Sequence, residues 1–358
     1  MTNSKKNRKS KGIDEKIKEG ISVAERGNLV PPGEFTLLNQ GTFGCIYHPG
    51  MTCNHEPLDA KYVTKIHGSN EKTIENEIAI SKKVQTIKSY EDYFSPILEN
   101  CKVNLAKVNR EEVEKCNFIK EDIKSKKPIT YVSTKIRYIE GKSLMEYVAD
   151  QTVKIYPTIS FLYKIICESV KKLTEKQIVH FDLRENNIIV SKQGIPIIID
   201  FGISIDMTKI VTNEKTIIVK TKTITNAKTI NKLKDIFYAY TTKYKPWCIE
   251  IVLISYIIHH EPNISSDKIM EIFDEVMKHN DFENKPYLKE EFPKYRENFK
   301  TSVSTIPPKE ILEYLLSTYK QWDLYSVAIL LIQMLEKTNQ TPTKDHITQL
   351  KENLGFSF

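Results

Sequence analysis

The sequence predicts an α+β fold in two lobes, a β-rich small lobe followed by an α-rich large lobe. After Pro31-Pro32-Gly33 the chain turns rich in β-branched and aromatic residues, the composition of strands. From Tyr156 onward, apolar residues recur mostly at helical spacing. Within that helical half sits one short hairpin signal: Asn187–Val190 and Ile195–Ile199, separated by Lys192-Gln193-Gly194. Lobes of different class leave a cleft between them, and such a cleft is a natural ligand site.

Taken in order, residues 1–33 read as a basic, flexible tail, 34–139 as the small lobe and 140–358 as the large lobe. KTIENEIAISKKV interrupts the strands and reads as a helix, with Ile74, Ile78, Ile80 and Val84 near one face. YVSTKIRYI (131–139) reads as a strand. Tyr156 to Thr174 reads as a buried helix with Ile159, Leu162, Ile166, Val170 and Leu173 on one stripe. Gln321–Leu335 also has a helical pattern.

Of the 358 residues, 40% are hydrophobic, enough for a real core and against wholesale disorder. The longest apolar run, Ile249 to Ile258, falls short of the ~18 residues a membrane span needs and reads as a buried helix. The N-terminus shows no apolar signal-peptide core, so no membrane partner is expected. Six scattered cysteines form no C-x-x-C pair, so spacing suggests neither a zinc site nor a disulfide framework, and a reducing cytoplasmic compartment is expected. The net charge of +7 collects in the tail and between Lys209 and Lys245. No aromatics interleave the basic tail, so nucleic acid is not expected beyond weak electrostatic attraction.

Three motifs carry chemistry. LLNQGTFGCIY (37–47) holds Gly41 and Gly44 around Thr42-Phe43 between strand-like segments. Glycines let backbone N–H groups approach phosphate oxygens, though a plain hairpin turn reads the same way. In KYVTKI, Lys65 lies in a β-branched run, and Glu77 follows twelve residues later as the charge partner a buried lysine needs, with Glu75 as second choice. The strongest signal is VHFDLRENNIIV followed by IIIDFGIS, with Asn187 five residues and Asp200 eighteen residues after Asp182. Asn187 and Asp200 carry the hard oxygens Mg²⁺ prefers, and Asp182 is a spare carboxylate able to orient an incoming hydroxyl.

These motifs, in this order, resemble the protein-kinase superfamily. WDLYSVAILL (322–331) resembles its buried helix, with Asp323 beneath the catalytic loop, and RYIEGKSLMEYV (137–148) resembles its hinge. The resemblance implies ATP and Mg²⁺ as cofactors and protein substrates, and the lysine-rich stretch 209–245 would attract acidic segments of such substrates. It implies that Gly41, Thr42, Phe43 and Gly44 cover the phosphates and that Lys65 holds them while paired to Glu77. Asp182 then orients the acceptor, Arg184 contacts phosphate, and Asn187 and Asp200 hold the metal. Leu38, Ile46, Val63 and Ile189 would sandwich adenine, with Ile136 at the pocket's back wall and the backbone of Arg137 and Ile139 bonding the base. Arg184 also occurs at this place in some tyrosine kinases, but Glu185-Asn186 after it lacks the small residues those carry, which favours serine/threonine acceptors.

The chain also departs from that family. Asn39 stands in place of the first loop glycine, and Ser81 in place of an apolar helix residue. Phe181 replaces the arginine that usually reads an activation-loop phosphate, so activity without strict need of that phosphate is expected. Glu250 in KYKPWCIEI is the nearest match to the glutamate closing that loop. Residues 251–320 then look like a helical insertion, and little chain follows Leu335 for the usual closing helices, so the fold class carries a truncated C-terminus. Together with the Lys/Ile/Asn-rich composition, this resembles kinases of large cytoplasmic DNA viruses and implies a host-cytoplasm or virion location. A pseudokinase scaffold and a small-molecule kinase of the aminoglycoside or choline type are the alternatives. His259-His260-Glu261 reads as a helix end, without a third ligand for a metal.

Overall fold

A computed structural model describes residues 35–41, 44–50, 59–68, 72–103, 110–125, 131–151, 155–212, 215–216, 227–237 and 239–355. The basic tail, Thr42, Phe43 and residues 213–214, 217–226 and 238 of the lysine-rich stretch lie outside the described residues.

The small lobe is a five-stranded antiparallel sheet of order β1-β2-β3-β6-β5. Its strands are β1 (Thr36–Gly41), β2 (Gly44–His48), β3 (Tyr62–Gly68), β5 (Ile97–Val103) and β6 (Tyr131–Arg137). Helix α1 (Lys72–Val84) interrupts them as its periodicity predicts, burying Ile74, Ile80 and Val84. Ser81 is buried as well, and its Oγ accepts the Ile97 N–H at 3.0 Å. That bond satisfies a hydroxyl where the family pattern has an apolar residue. Between β5 and β6, α2 (Arg110–Val113) and α3 (Asn117–Ser125) cover one face of the sheet. Phe35, Tyr47, Ile66, Val113, Ile119 and Tyr131 pack there.

The cysteines correct the sequence reading. Cys45 of β2 is bonded to Cys116 beside α3, with Cα atoms 6.1 Å apart, and Cys101 is disulfide-bonded too. The first bridge spans 71 residues of chain, so only the fold brings its ends together and local spacing could not show it. The ground for expecting a reducing compartment therefore falls away.

Short strand β4 (Phe94–Ser95) leaves the small lobe and pairs in parallel with β10 (Pro196–Ile199). The predicted hairpin is β9 (Ile188–Ser191) and β10, with Gly194 at φ 81° in its turn, where only glycine sits without strain. β7 (Gly141–Ser143) closes this sheet, and α4 (Leu144–Ala149) follows it behind a Ser143/Glu146 capping box. The predicted stripe lies on α5 (Ile155–Glu175), with all five residues buried. β8 (Ile178–Val179) pairs with β11 (Ile205–Asp206).

The remaining helices are α6 (Ala227–Ile236), α7 (Ile249–His259), α8 (Ser266–Asn280), α9 (Phe292–Ser304), α10 (Ile311–Ser317), α11 (Trp322–Lys337) and α12 (Lys344–Asn353). Apolar residues of α7 to α11 join the same core as the α5 stripe. Residues 251–320 thus complete the large lobe's core from within. Among the described residues, no helix is long and apolar enough to cross a membrane.

Candidate active site

Lys65 is buried on β3, and its Nζ lies 3.2 Å from Glu77 Oε2 on α1 and 3.3 Å from Asp200 Oδ1 just past β10. Burial alone would push the ammonium down, but the Asp200 and Glu77 carboxylates outweigh it and hold Lys65 above its ordinary value. Asp200 feels the same pair from the other side: burial pushes it up, and Lys65 with the Gly202 N–H brings it below the usual carboxylate range. Burial keeps Glu77 raised despite Lys65. Glu75 is exposed, which settles the choice between the two glutamates. Helix α1 is also tied to the segment after Asp200. Asn76 Nδ2 donates to the Ser204 carbonyl at 2.8 Å, and Lys83 meets Asp206 at 2.6 Å.

The loop after β8 presents Asp182. Below it, buried Asp323 of α11 accepts the backbone N–H of His180 at 2.6 Å and of Phe181 at 3.1 Å. These bonds hold Phe181 at φ 69°, a strained conformation for a bulky residue. His180 Nε2 bonds the Ile199 carbonyl at 3.0 Å, so the loop and the strand leading to Asp200 are locked together. Asn187 Nδ2 donates to the Asp182 carbonyl at 2.8 Å and to its Oδ2 at 3.0 Å. With the N–H side spent on Asp182, the amide oxygen is the atom Asn187 offers to a cation. Burial raises Asp182, partly offset by the Tyr244 hydroxyl. Arg184 faces Glu185 at 3.7 Å.

A Cβ at Gly44 would lie 2.6 Å from the Ile66 carbonyl oxygen, so the loop's second glycine is required by the closeness of β3. Gly41 is exposed, with open space where a side chain would be. Ile46 pairs opposite Lys65, and Val63 opposite Ile136, which places all four on one sheet face. Cys45 and Tyr47 take the opposite face by strand alternation. Leu38 sits at the bulge in β1. Ile189 is half-buried between buried Ile188 and Val190, so strand alternation puts it on the other face of β9 from those two. Arg137 and Ile139 are half-buried where the chain leaves β6, and the Arg137 carbonyl already accepts the Ser95 hydroxyl at 3.0 Å. A carbonyl has a second lone pair, so a base donor can still bond it.

The protein kinase domain profile matches residues 34–304, well over half of the chain. The chain belongs to the protein kinase family. It is also similar to the serine/threonine-protein kinase SKM1 of Saccharomyces cerevisiae, at 25% identity over 115 residues. That likeness covers 32% of this chain and 17% of the yeast protein.

In this kinase, Phe181 fills the place of a phosphate-reading arginine with an aromatic cluster. Its ring lies 4.9 Å from Trp247 and 5.6 Å from Phe237, and Phe237 lies 5.9 Å from Trp322. Trp247 Nε1 donates to the Phe181 carbonyl at 2.8 Å. Glu250 stands in the first turn of α7, its carboxyl pushed up by burial. Sequence reasoning missed Tyr244, Trp247 and Ser95. The first two belong to KYKPWCIEI, which was readable only as a loose match, and Ser95 lies in a two-residue strand with no pattern of its own. Among the described residues, no group of three or more His, Cys, Asp or Glu side chains gathers as a metal cage.

Proposed function

We propose that this kinase transfers the γ-phosphoryl group of ATP, with Mg²⁺, to serine or threonine hydroxyls of protein substrates. The observation that carries the reading is Lys65 bonded at once to Glu77 and Asp200, beside a catalytic loop whose Asp182 and Asn187 are already mutually bonded. Catalysis of this kind is mainly positioning and charge stabilisation, and these groups are positioned before substrate arrives.

Lys65, held from behind by Glu77, presents its ammonium to the nucleotide phosphates. Ile46, Val63, Leu38 and Ile189 supply apolar faces for adenine, with Ile136 behind and the backbone of Arg137 and Ile139 at its polar edge. Asp182 accepts the hydrogen bond of the acceptor hydroxyl and aims it at phosphorus. Asn187 and Asp200 fit Mg²⁺ as an amide oxygen and an ionised carboxylate, the small hard-oxygen set that leaves remaining positions to phosphate and water. When bound, Mg²⁺ neutralises charge on the phosphate oxygens. Tight aromatic packing at Phe181 supports activity without an activation-loop phosphate.

The serine/threonine class of the yeast relative agrees with the acceptor assigned here. Phosphoamino-acid analysis after labelling a mixed protein panel, run beside a metabolite panel, tests the assignment. Phosphoserine and phosphothreonine are expected. Phosphotyrosine alone would replace the acceptor class, and label only in metabolites would make this a small-molecule kinase.

A further inference from the structure

The residue facing Asp182 most closely comes from neither the catalytic loop nor the hairpin. Tyr244 lies 62 residues further on, and its hydroxyl donates to Asp182 Oδ1. Asn187 Nδ2 donates to the other oxygen, Oδ2, at 3.0 Å. The carboxylate is therefore held at both ends, and its plane is fixed. Each oxygen keeps further acceptor capacity, so an incoming hydroxyl can still bond there.

The mount of Tyr244 is tied to the catalytic loop itself. Its ring packs edge-on to Trp247, with centroids 5.2 Å apart, and its carbonyl accepts the Trp247 N–H at 3.0 Å. Trp247 bonds the Phe181 carbonyl and packs on the Phe181 ring, one residue before Asp182. Phe181 is fixed in turn by Asp323. Asp182, Tyr244, Trp247 and Phe181 form a closed circuit, so the tyrosine hydroxyl is set relative to the loop it bonds.

We propose that Tyr244 is a positioning residue for catalysis, acting through Asp182 to fix the carboxylate that orients the acceptor hydroxyl. The proposal rests on the protein-kinase reading of the site. Packing against Trp247 needs only the ring; the hydroxyl serves Asp182. Removing it frees the carboxylate to rotate, which lowers the fraction of complexes aligned for transfer without touching the nucleotide pocket.

The test is a double-mutant cycle with Tyr244→Phe, Asp182→Ala and the pair, read as kcat and KM for ATP and for a protein substrate, with ATP affinity and Tm measured on each protein. Tyr244→Phe is expected to lower kcat about tenfold, as loss of one hydrogen bond to a charged group should. KM for ATP and Tm should stay near wild type. In the Asp182→Ala background the same change should alter kcat by less than about twofold, because the acceptor of its hydrogen bond is already gone. Equal effects in both backgrounds, or a fall in Tm that tracks the loss of kcat, would make Tyr244 a packing residue and overturn the proposal. A rise in kcat would overturn it differently, by showing that the hydroxyl blocks the acceptor's place. Wild-type protein that binds ATP but transfers no phosphate would defeat the kinase reading, and the positioning role with it, whatever the variants do.

Discussion

On the outer face of the small-lobe sheet, a small set of buried residues closes around the Cys45–Cys116 bridge, under helices of four and nine residues. In the large lobe, α7 and α11 bury almost every apolar residue they carry, α5 buries its apolar stripe, and the helices between residues 251 and 320 feed the same core. One lobe is a thin layer fastened by a covalent link and the other is a thick apolar interior. A sheet with two short helices buries too little surface to lock itself, whereas a helical lobe of this size does so by packing alone. The catalytic groups sit where the two meet, Lys65 and Glu77 from the thin side, Asp182, Asn187 and Asp200 from the thick side.

The contrast can be broken at the junction first. Lys65→Met leaves Glu77 buried without its cation, a loss of about 3–5 kcal/mol at neutral pH. With the lysine gone, burial and Asp200 both raise the Glu77 carboxyl above its ordinary value of about 4.3. A raised carboxyl contributes stability fully below that value and loses it as pH rises through the folded value. The Tm gap between Lys65→Met and wild type should therefore widen from about pH 4 to pH 7, and a constant gap would refute the pairing.

Within the large lobe, Trp322→Ala removes a fully buried ring packed on Phe237 and should cost about 4 kcal/mol in denaturant titration. A loss below about 1 kcal/mol would mean this core is loose. In the small lobe, Cys116→Ser should cost about 3 kcal/mol under oxidising conditions, and that difference should vanish in excess dithiol. Equal stability of both proteins before reduction would show that packing alone closes the small lobe. The smallest effect is expected at the exposed Lys142–Asp150 pair on the surface, where Lys142→Ala should leave Tm indistinguishable from wild type.

The sequence makes legible what is periodic or locally spaced. The α5 stripe, the β9–β10 hairpin, helix α1 and the Asp182, Asn187 and Asp200 spacing can be read in single windows of chain. Glu77 is readable because a buried lysine demands a partner. What stays hidden depends on distant segments meeting. Cys45 and Cys116 are brought together only by the sheet and the helices over it. Tyr244 reaches Asp182 only because Trp247 docks on Phe181, and no window of sequence contains both. Ser81 looks out of place until the Ile97 N–H beside it is seen. Arg184, which the family resemblance aims at phosphate, faces Glu185.

The most direct measurement is transfer of labelled γ-phosphate from ATP, in the presence of Mg²⁺, to a mixed protein substrate, by wild type beside Asp200→Ala and Lys65→Met. Wild type should label protein, and each variant should fall by about a thousandfold, since each removes a charge aimed at the phosphates. Labelling that persists in Asp200→Ala would contradict the metal and phosphate roles assigned to this cleft. No labelling by wild type with intact ATP binding would contradict catalysis itself and leave a binding scaffold.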